Sequence, residues 1–160
     1  MSAPTLEQIR AAIVATVAGI ADIGKVHGYE RYAQKASDLQ KTYVATINGV
    51  DQLRGWFVRR VGTIENDLAA TAGGRYVVTH AWRITGYMAL SDDAASEIAF
   101  DGLIEAIRDA FRADISLAGL VSSIEAQDQA GIAVDQSEPV LFCGVLCHSA
   151  RLSLKTIHYQ

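Results

Sequence analysis

Cysteine is scarce in this chain: Cys143 and Cys147 are the only two among 160 residues, too few for a disulfide framework. Their spacing is neither that of a C-x-x-C redox pair nor that of a haem-attachment motif. Read as neighbours on one strand they stand about 13 Å apart, too far for a shared zinc or a mutual disulfide, so two buried free thiols are expected. Long apolar runs are also missing. The most hydrophobic stretch, residues 11–23 (AAIVATVAGIADI), is too short to span a bilayer. It follows both Glu7 and Arg10 and no basic run, so it reads as a helix rather than a signal-peptide core, and a cytoplasmic site of synthesis is expected. Basic charge is in deficit, with 14 Lys and Arg against 18 Asp and Glu and a net charge of −4. Generic phosphate binding by the whole chain is therefore disfavoured. No internal repeat, low-complexity segment or interdomain linker divides the sequence, and its length suits a single domain with a real core.

What is present is organised around residues 75–114. From Tyr76 the side chains alternate, with Tyr76, Val78, His80, Trp82, Ile84, Met88 and Leu90 on one face and Thr79, Arg83, Thr85 and Tyr87 on the other. Period two marks a strand with one buried face. Ser91-Asp92-Asp93 then offers side-chain oxygens as helix caps. From Ala94 the period becomes helical, with Ile98, Leu103, Ile104, Ile107, Ala110 and Phe111 as the apolar stripe.

Before this unit, Thr5 and Gln8 stand in capping-box spacing and open a helix striped by Leu6, Ile9, Ile13, Val17 and Ile20, ending near Gly19 or Gly24. Residues 25–32 read as extended, and 36–47 as a short helix capped by Ser37. Arg54–Ile64 reads as a strand, joined to the long one by a turn over 65–74 with Gly73-Gly74 as its punctuation. Ser122–Val134 suggests one strand and Asp135–Pro139 a turn. Val140–Tyr159 alternates as a long strand that needs a bend near Gly144 or Ser149. The expected fold is α+β: an antiparallel or mixed sheet of about four strands with two to three helices packed on it.

No group carries a clear catalytic signature. No glycine-flanked nucleophile elbow surrounds a serine, and Gly73-Gly74-Arg75 lacks the lysine and hydroxyl of a phosphate loop. His27, His80, His148 and His158 are scattered singly. His80 shares a strand face with Val78 and Trp82, so a hydrogen-bonded core or interface histidine is expected there. His148 and Ser149 are adjacent on a strand and point to opposite faces. Asp92 and Asp93 suit a helix cap better than an acid–base pair. Trp56 and Trp82 suit sheet packing better than a nucleic-acid platform.

Charge is unevenly distributed. Residues 54–83 carry Arg54, Arg59, Arg60, Arg75 and Arg83 against Glu65 and Asp67, a net +3; residues 84–139 carry Arg108 and Arg112 against eleven acids, a net −9. One reading is scattered solvated charge. The other is a basic surface on one copy meeting an acidic surface on the next, a heterologous contact that closes into a ring where the rotation permits.

The order of elements, together with GKVHGYERY at 24–32, LRGWFVRRVG at 53–62, RYVVTHAWRITGYMAL at 75–90 and SDDAASEIAFDGLIEAIRDAFRAD at 91–114, resembles tail-terminator (tail-completion) proteins of long-tailed bacteriophages and phage-like particles. The resemblance covers roughly residues 5–159 and rests on pattern, not on a diagnostic motif. It implies an α+β subunit without catalytic activity, metal or cofactor. It implies assembly into a homo-oligomeric ring, usually a hexamer, on the head-proximal end of the tail tube. There the ring ends tube polymerisation and presents a surface to the head-side connector. The implied location is the virion, with assembly in the host cytoplasm, no membrane, and DNA passing through the ring without sequence recognition. Subunit-interface or channel candidates are then Arg54, Arg59, Arg60, Arg75, Arg83, Asp101, Glu105 and Asp109. Candidates for contacting tube or connector lie in the loops expected at 65–74 and 125–139: Glu65, Asn66, Asp67, Gln127, Asp128, Gln129, Asp135 and Glu138. A different connector or tail-tube protein, or a small cytosolic ligand-binding domain or enzyme with His80, Tyr87 or Asp92 in a pocket, is the alternative.

Overall fold

A computed structural model describes residues 2–68 and 74–160. Helix α1 (Leu6–Ala18) leads to strand β1 (Lys25–His27), helix α2 (Ala36–Thr42) and strand β2 (Val44–Ile47). Two long strands follow, β3 (Val50–Asp67) and β4 (Tyr76–Ala89), and then helix α3 (Ser96–Ala113). The short strands β5 (Glu125–Ala126) and β6 (Gln129–Ala130) precede β7 (Ala133–Phe142) and β8 (Val145–Tyr159). Six strands form one mixed sheet in the order β1-β3-β4-β8-β7, with β2 also paired to β3, and β5-β6 form a small separate sheet. The class is α+β as expected, with more strands than expected.

The inner face of the sheet carries Trp56, Val58, Trp82, Ile84, Met88, Leu152 and Leu154, all buried. Ile9, Ile13 and Val17 of α1 and Phe100, Ile104, Ile107 and Phe111 of α3 pack into the same core. The Trp56 indole stacks on Phe100 with centroids 5.7 Å apart and donates from Nε1 to the Ile23 carbonyl at 3.1 Å. The expected box at the start of α1 is present, Thr5 and Gln8 each bonding the other's backbone N–H.

Five local expectations are corrected. First, residues 43–47 are strand, not helix. Asn48 and Gly49 adopt φ of 52° and 79°, the two positive values of a tight hairpin turn, so β2 folds directly back on β3. Ser37 does not cap α2, whose N-cap is Lys35 with no side-chain cap bond. Second, α3 starts at Ser96 and not Ala94. Ala94 and Ala95 donate to the Ser91 and Asp92 carbonyls in a turn, and Ala95 takes φ 49°, so Ser91-Asp92-Asp93 gives no side-chain cap. Third, Ile98 is 74 % exposed and Phe100 takes the inward place. Phe100, Leu103, Ile104, Ile107 and Phe111 keep helical spacing, whereas Ile98 is five residues from Leu103 and lies off that face.

Fourth, Asp135–Pro139 is not a turn but the middle of β7, paired to β8 through Gln136↔Arg151 and Pro139↔His148. The reversal comes at Cys143 and Gly144, with φ of 51° and 80°. Strand spacing therefore never applied to the two cysteines: Cys143 lies in the turn, half-buried, and Cys147 is buried on β8, both as free thiols. Ser122–Val134 holds two two-residue strands and the first two residues of β7, not one strand. Fifth, β3 runs on to Asp67, so Glu65, Asn66 and Asp67 are strand residues paired with Val78, Val77 and Tyr76. Part of the turn expected over 65–74, including Gly73, falls at 69–73, outside the described residues.

Candidate functional site

Because strand side chains alternate, the residues between the core positions of β3, β4 and β8 all face away from the helices. One half of this outer face is covered. Tyr43, at the end of α2, packs with Leu53, Phe57 and Cys147. Around it Tyr87 and Phe142 stack at 4.0 Å, and Tyr43 meets Phe142 edge-on at 5.2 Å. Burial pushes the Tyr43 hydroxyl up to about 12.

The other half of the outer face is bare, and arginines occupy it. Arg59 on β3 lies directly opposite Arg83 on β4, and Arg151 on β8 lies opposite Thr85, two residues further along β4. Glu30 is the one carboxylate in ion-pair contact with this cluster among the described residues, at 3.0 Å from Arg59. Neither Arg83 nor Arg151 has an ion-pair partner among the described residues. Like charges placed directly opposite on neighbouring strands repel, so the cluster is held by the register and not by its own charges. Between these residues runs a groove of about 180 Å³ that also includes Phe57, Thr85 and Tyr87. A second groove of about 150 Å³ shares Thr85, Tyr87 and Arg151 and continues past Glu138, Val140, Leu141 and Phe142. The Tyr87 hydroxyl is raised mainly by burial, then by Glu30, and is drawn back down by Arg151.

The other basic candidates are elsewhere. Arg54 donates to the Asp22 carbonyl at 2.9 Å and to Gln52, on the side of the chain near α1. Arg60 stands in register with Trp82 and donates to Thr63, so it lies with the inner face. Arg75 immediately precedes β4 and is exposed. Sequence position grouped five arginines; the fold brings only Arg59 and Arg83 together and adds Arg151. The pleat would have shown that Arg59 and Arg83 share a parity, but Arg151 joins them only through the pairing of β4 with β8.

On the opposite side of the molecule, α3 exposes Asp101, Glu105 and Asp109. Glu105 and Asp109 hold Arg108 and Arg112 one turn on. Glu97 and Asp101 have no basic partner among the described residues. Of the expected loop residues, Asp128 pairs with Lys155, Asp135 accepts from Ser153 at 3.0 Å, and Gln129 donates to the Gly131 and Ser153 carbonyls. Glu138 accepts from Gln136, and Gln127 is exposed in the β5-β6 turn.

Two buried pairs were not anticipated. Ser96 Oγ lies 2.7 Å from His148 Nε2 and accepts from the Ser91 N–H at 2.8 Å, tying the start of α3 to β8. Both residues border a cleft of about 270 Å³ with Leu90, Asp92 and Ile98. His80 and His158 face each other with centroids 5.3 Å apart, and Thr63 hydrogen-bonds His80 at 2.8 Å. His80 is thus the hydrogen-bonded core histidine that its strand face predicts. It sits on the inner face and Tyr87 on the outer, so His80, Tyr87 and Asp92 do not share a pocket. Both tryptophans are fully buried and form no stacking platform.

Among the described residues no cluster of three or more His, Cys, Asp or Glu is placed to hold a metal, and no helix is long and apolar enough to cross a membrane. Compared with known families and characterised proteins, the chain matches no family model and no protein significantly.

Proposed function

We propose that this chain is a structural assembly protein that works as the subunit of a closed ring, of the tail-terminator kind. In this reading the ring caps the head-proximal end of a phage tail tube, stops tube growth and offers the head-side connector its landing surface. The observation that carries the reading is the two-sidedness of the subunit. Arg83 and Arg151, without an ion-pair partner among the described residues, stand on the bare outer sheet face, and Glu97 and Asp101, likewise without a basic partner among them, stand on the far side of the helix layer. A subunit with complementary charge on opposite sides associates head to tail, and head-to-tail contacts close into rings or run on as filaments. No catalytic role is assigned to the chain. DNA would pass through the ring without sequence recognition, and assembly would take place in the host cytoplasm.

Light scattering across a concentration series, with negative-stain images of the same samples, tests this. Closed particles of about six copies are expected. Open filaments would move the assignment to a tube protein. A chain that stays monomeric both alone and in the presence of purified tail tubes would overturn the reading. A second reading, a small enzyme or ligand-binding domain, has one observation in its favour, the Ser96–His148 hydrogen bond at a cleft. Covalent labelling of Ser96 by a fluorophosphonate probe would speak for it.

A further inference from the structure

The arginine groove and the start of α3 each carry an unrelieved like-charge contact. On the sheet, Arg59 and Arg83 are directly opposite, with Arg151 beside them; among the described residues Glu30 alone is in ion-pair contact with the three guanidinium groups, while Glu138 borders the groove next to Arg151 and is held by Gln136. On α3, Glu97 and Asp101 are four residues apart on one helix face, where like charges also repel. The two carboxylates further along that helix are already paired, with Arg108 and Arg112. Beside the unpaired acids stands Ile98, 74 % exposed, and beside the unpaired arginines stands the Tyr87–Phe142 stack.

We infer that the groove is a carboxylate-binding site whose occupant is the first two turns of α3 from a second copy of this chain. Glu97 and Asp101 meet Arg83 and Arg151, and Ile98 seats against Tyr87 and Phe142. The planar guanidinium fork matches a carboxylate in two-point contact, and the two adjoining grooves, about 180 and 150 Å³, hold side chains rather than a duplex. Asp92 and Asp93, both exposed just before α3, add negative charge to the same end. The donor and acceptor surfaces lie on opposite sides of the sheet, so one copy cannot satisfy both with a single partner, and the contact propagates from copy to copy. This inference rests on the ring reading and gives it a specific contact.

The test uses the full chain in three forms: wild type, R83E/R151E and E97K/D101K. All four substituted side chains are exposed, and circular dichroism of each form monitors folding. By sedimentation velocity each variant alone should lose self-association by at least about tenfold in affinity. Mixed in equal amounts, each variant brings one altered and one native surface. R83E/R151E keeps its acids and E97K/D101K keeps its arginines, and the two altered surfaces are again opposite in charge, so the mixture should recover the association that each variant alone has lost. A chain carrying all four changes should regain self-association with the charges exchanged. If wild type assembles and both variants assemble equally well, the ring reading stands and this contact is wrong. If wild type forms no oligomer, either alone or with purified tail tubes, and the mixture no pair, both fail. If R83E/R151E loses only the capacity to retain a short DNA duplex, the groove belongs to a phosphate backbone and the inference is overturned.

Discussion

Gly86 on β4 lies in register with Trp56 on β3, and the indole covers it so closely that a Cβ at position 86 would stand 2.3 Å from Cε3 and Cζ3. Trp56 cannot retreat, because its other side stacks on Phe100. Gly86→Ala should therefore destabilise the fold by about 3 kcal/mol through overpacking. Gly102, exposed on α3 with open space around its Cα, is the contrast: Gly102→Ala should stabilise by about 1 kcal/mol through helix propensity. Urea denaturation followed by circular dichroism reads both, and equal effects at the two positions would refute the packing argument.

Trp82 Nε1 donates to Thr156 Oγ1 at 3.0 Å, with both residues fully buried. Thr156→Val keeps the shape and removes the acceptor, leaving a buried N–H unpaired. The expected cost is about 1–3 kcal/mol in the same urea assay.

Asp114 holds an unusual turn. Leu117, Ala118 and Gly119 follow it with φ of 51°, 59° and 80°, a left-handed region that side chains resist. Its carboxylate accepts from the Ser116 and Ala118 N–H groups at 3.2 and 2.6 Å. Asp114→Ala should cost about 2 kcal/mol or more, and hydrogen exchange at 116–119 should accelerate first.

Stability should fall as pH drops. His80 is held below the usual imidazole range by burial, then by His158 and by Arg60; His158 is held down by burial. Arg60, Thr63, Trp82 and Thr156 are the neighbours identified around the pair, and none of them is a carboxylate. Both imidazoles therefore fold neutral, and the unfolded chain binds more protons. Stability is full above the unfolded value of about 6.5 and is lost as pH falls from there toward the depressed folded values. His158→Phe should flatten the decline in urea midpoint between about pH 7 and 5; an unchanged slope would exclude the pair as its source.

The cysteines should separate by reactivity. Burial pushes the Cys147 thiol up to about 11 and also raises that of Cys143, which sits half-buried in the β7-β8 turn. A thiol reagent at neutral pH should titrate Cys143 slowly in the native state and reach Cys147 only on unfolding. The Cys143→Ser variant should show no native reaction.

Local pattern carried much of the architecture. Alternation from Tyr76 to Met88 gave the central strand and its inward face, and the Thr5–Gln8 spacing gave the start of α1. The α+β class followed from the change of period after β4. The misreadings have local causes. The Asn48-Gly49 signal was present in the sequence but was hidden inside an apparent four-residue helical repeat, Leu39, Tyr43 and Ile47. At Cys143-Gly144 an unbroken apolar alternation concealed a reversal. Ile98 looked like a core residue because isoleucine usually is one, although its spacing to Leu103 already placed it outside the stripe.

Legible along the chain alone are the strands with a buried face, the helices with apolar stripes, and the concentration of opposite charges in different stretches. Those are near-neighbour properties, set by the periods of helix and strand and by side-chain chemistry. The folded chain adds what no local pattern holds: Arg151 joins Arg59 and Arg83, Ser96 meets His148, and Arg54 and Arg60 leave the group. The arginine positions depend on strand pairing between residues up to about a hundred positions apart, where a shift of one residue in register would turn each side chain to the other face, and the Ser96–His148 contact depends on how α3 packs against β8.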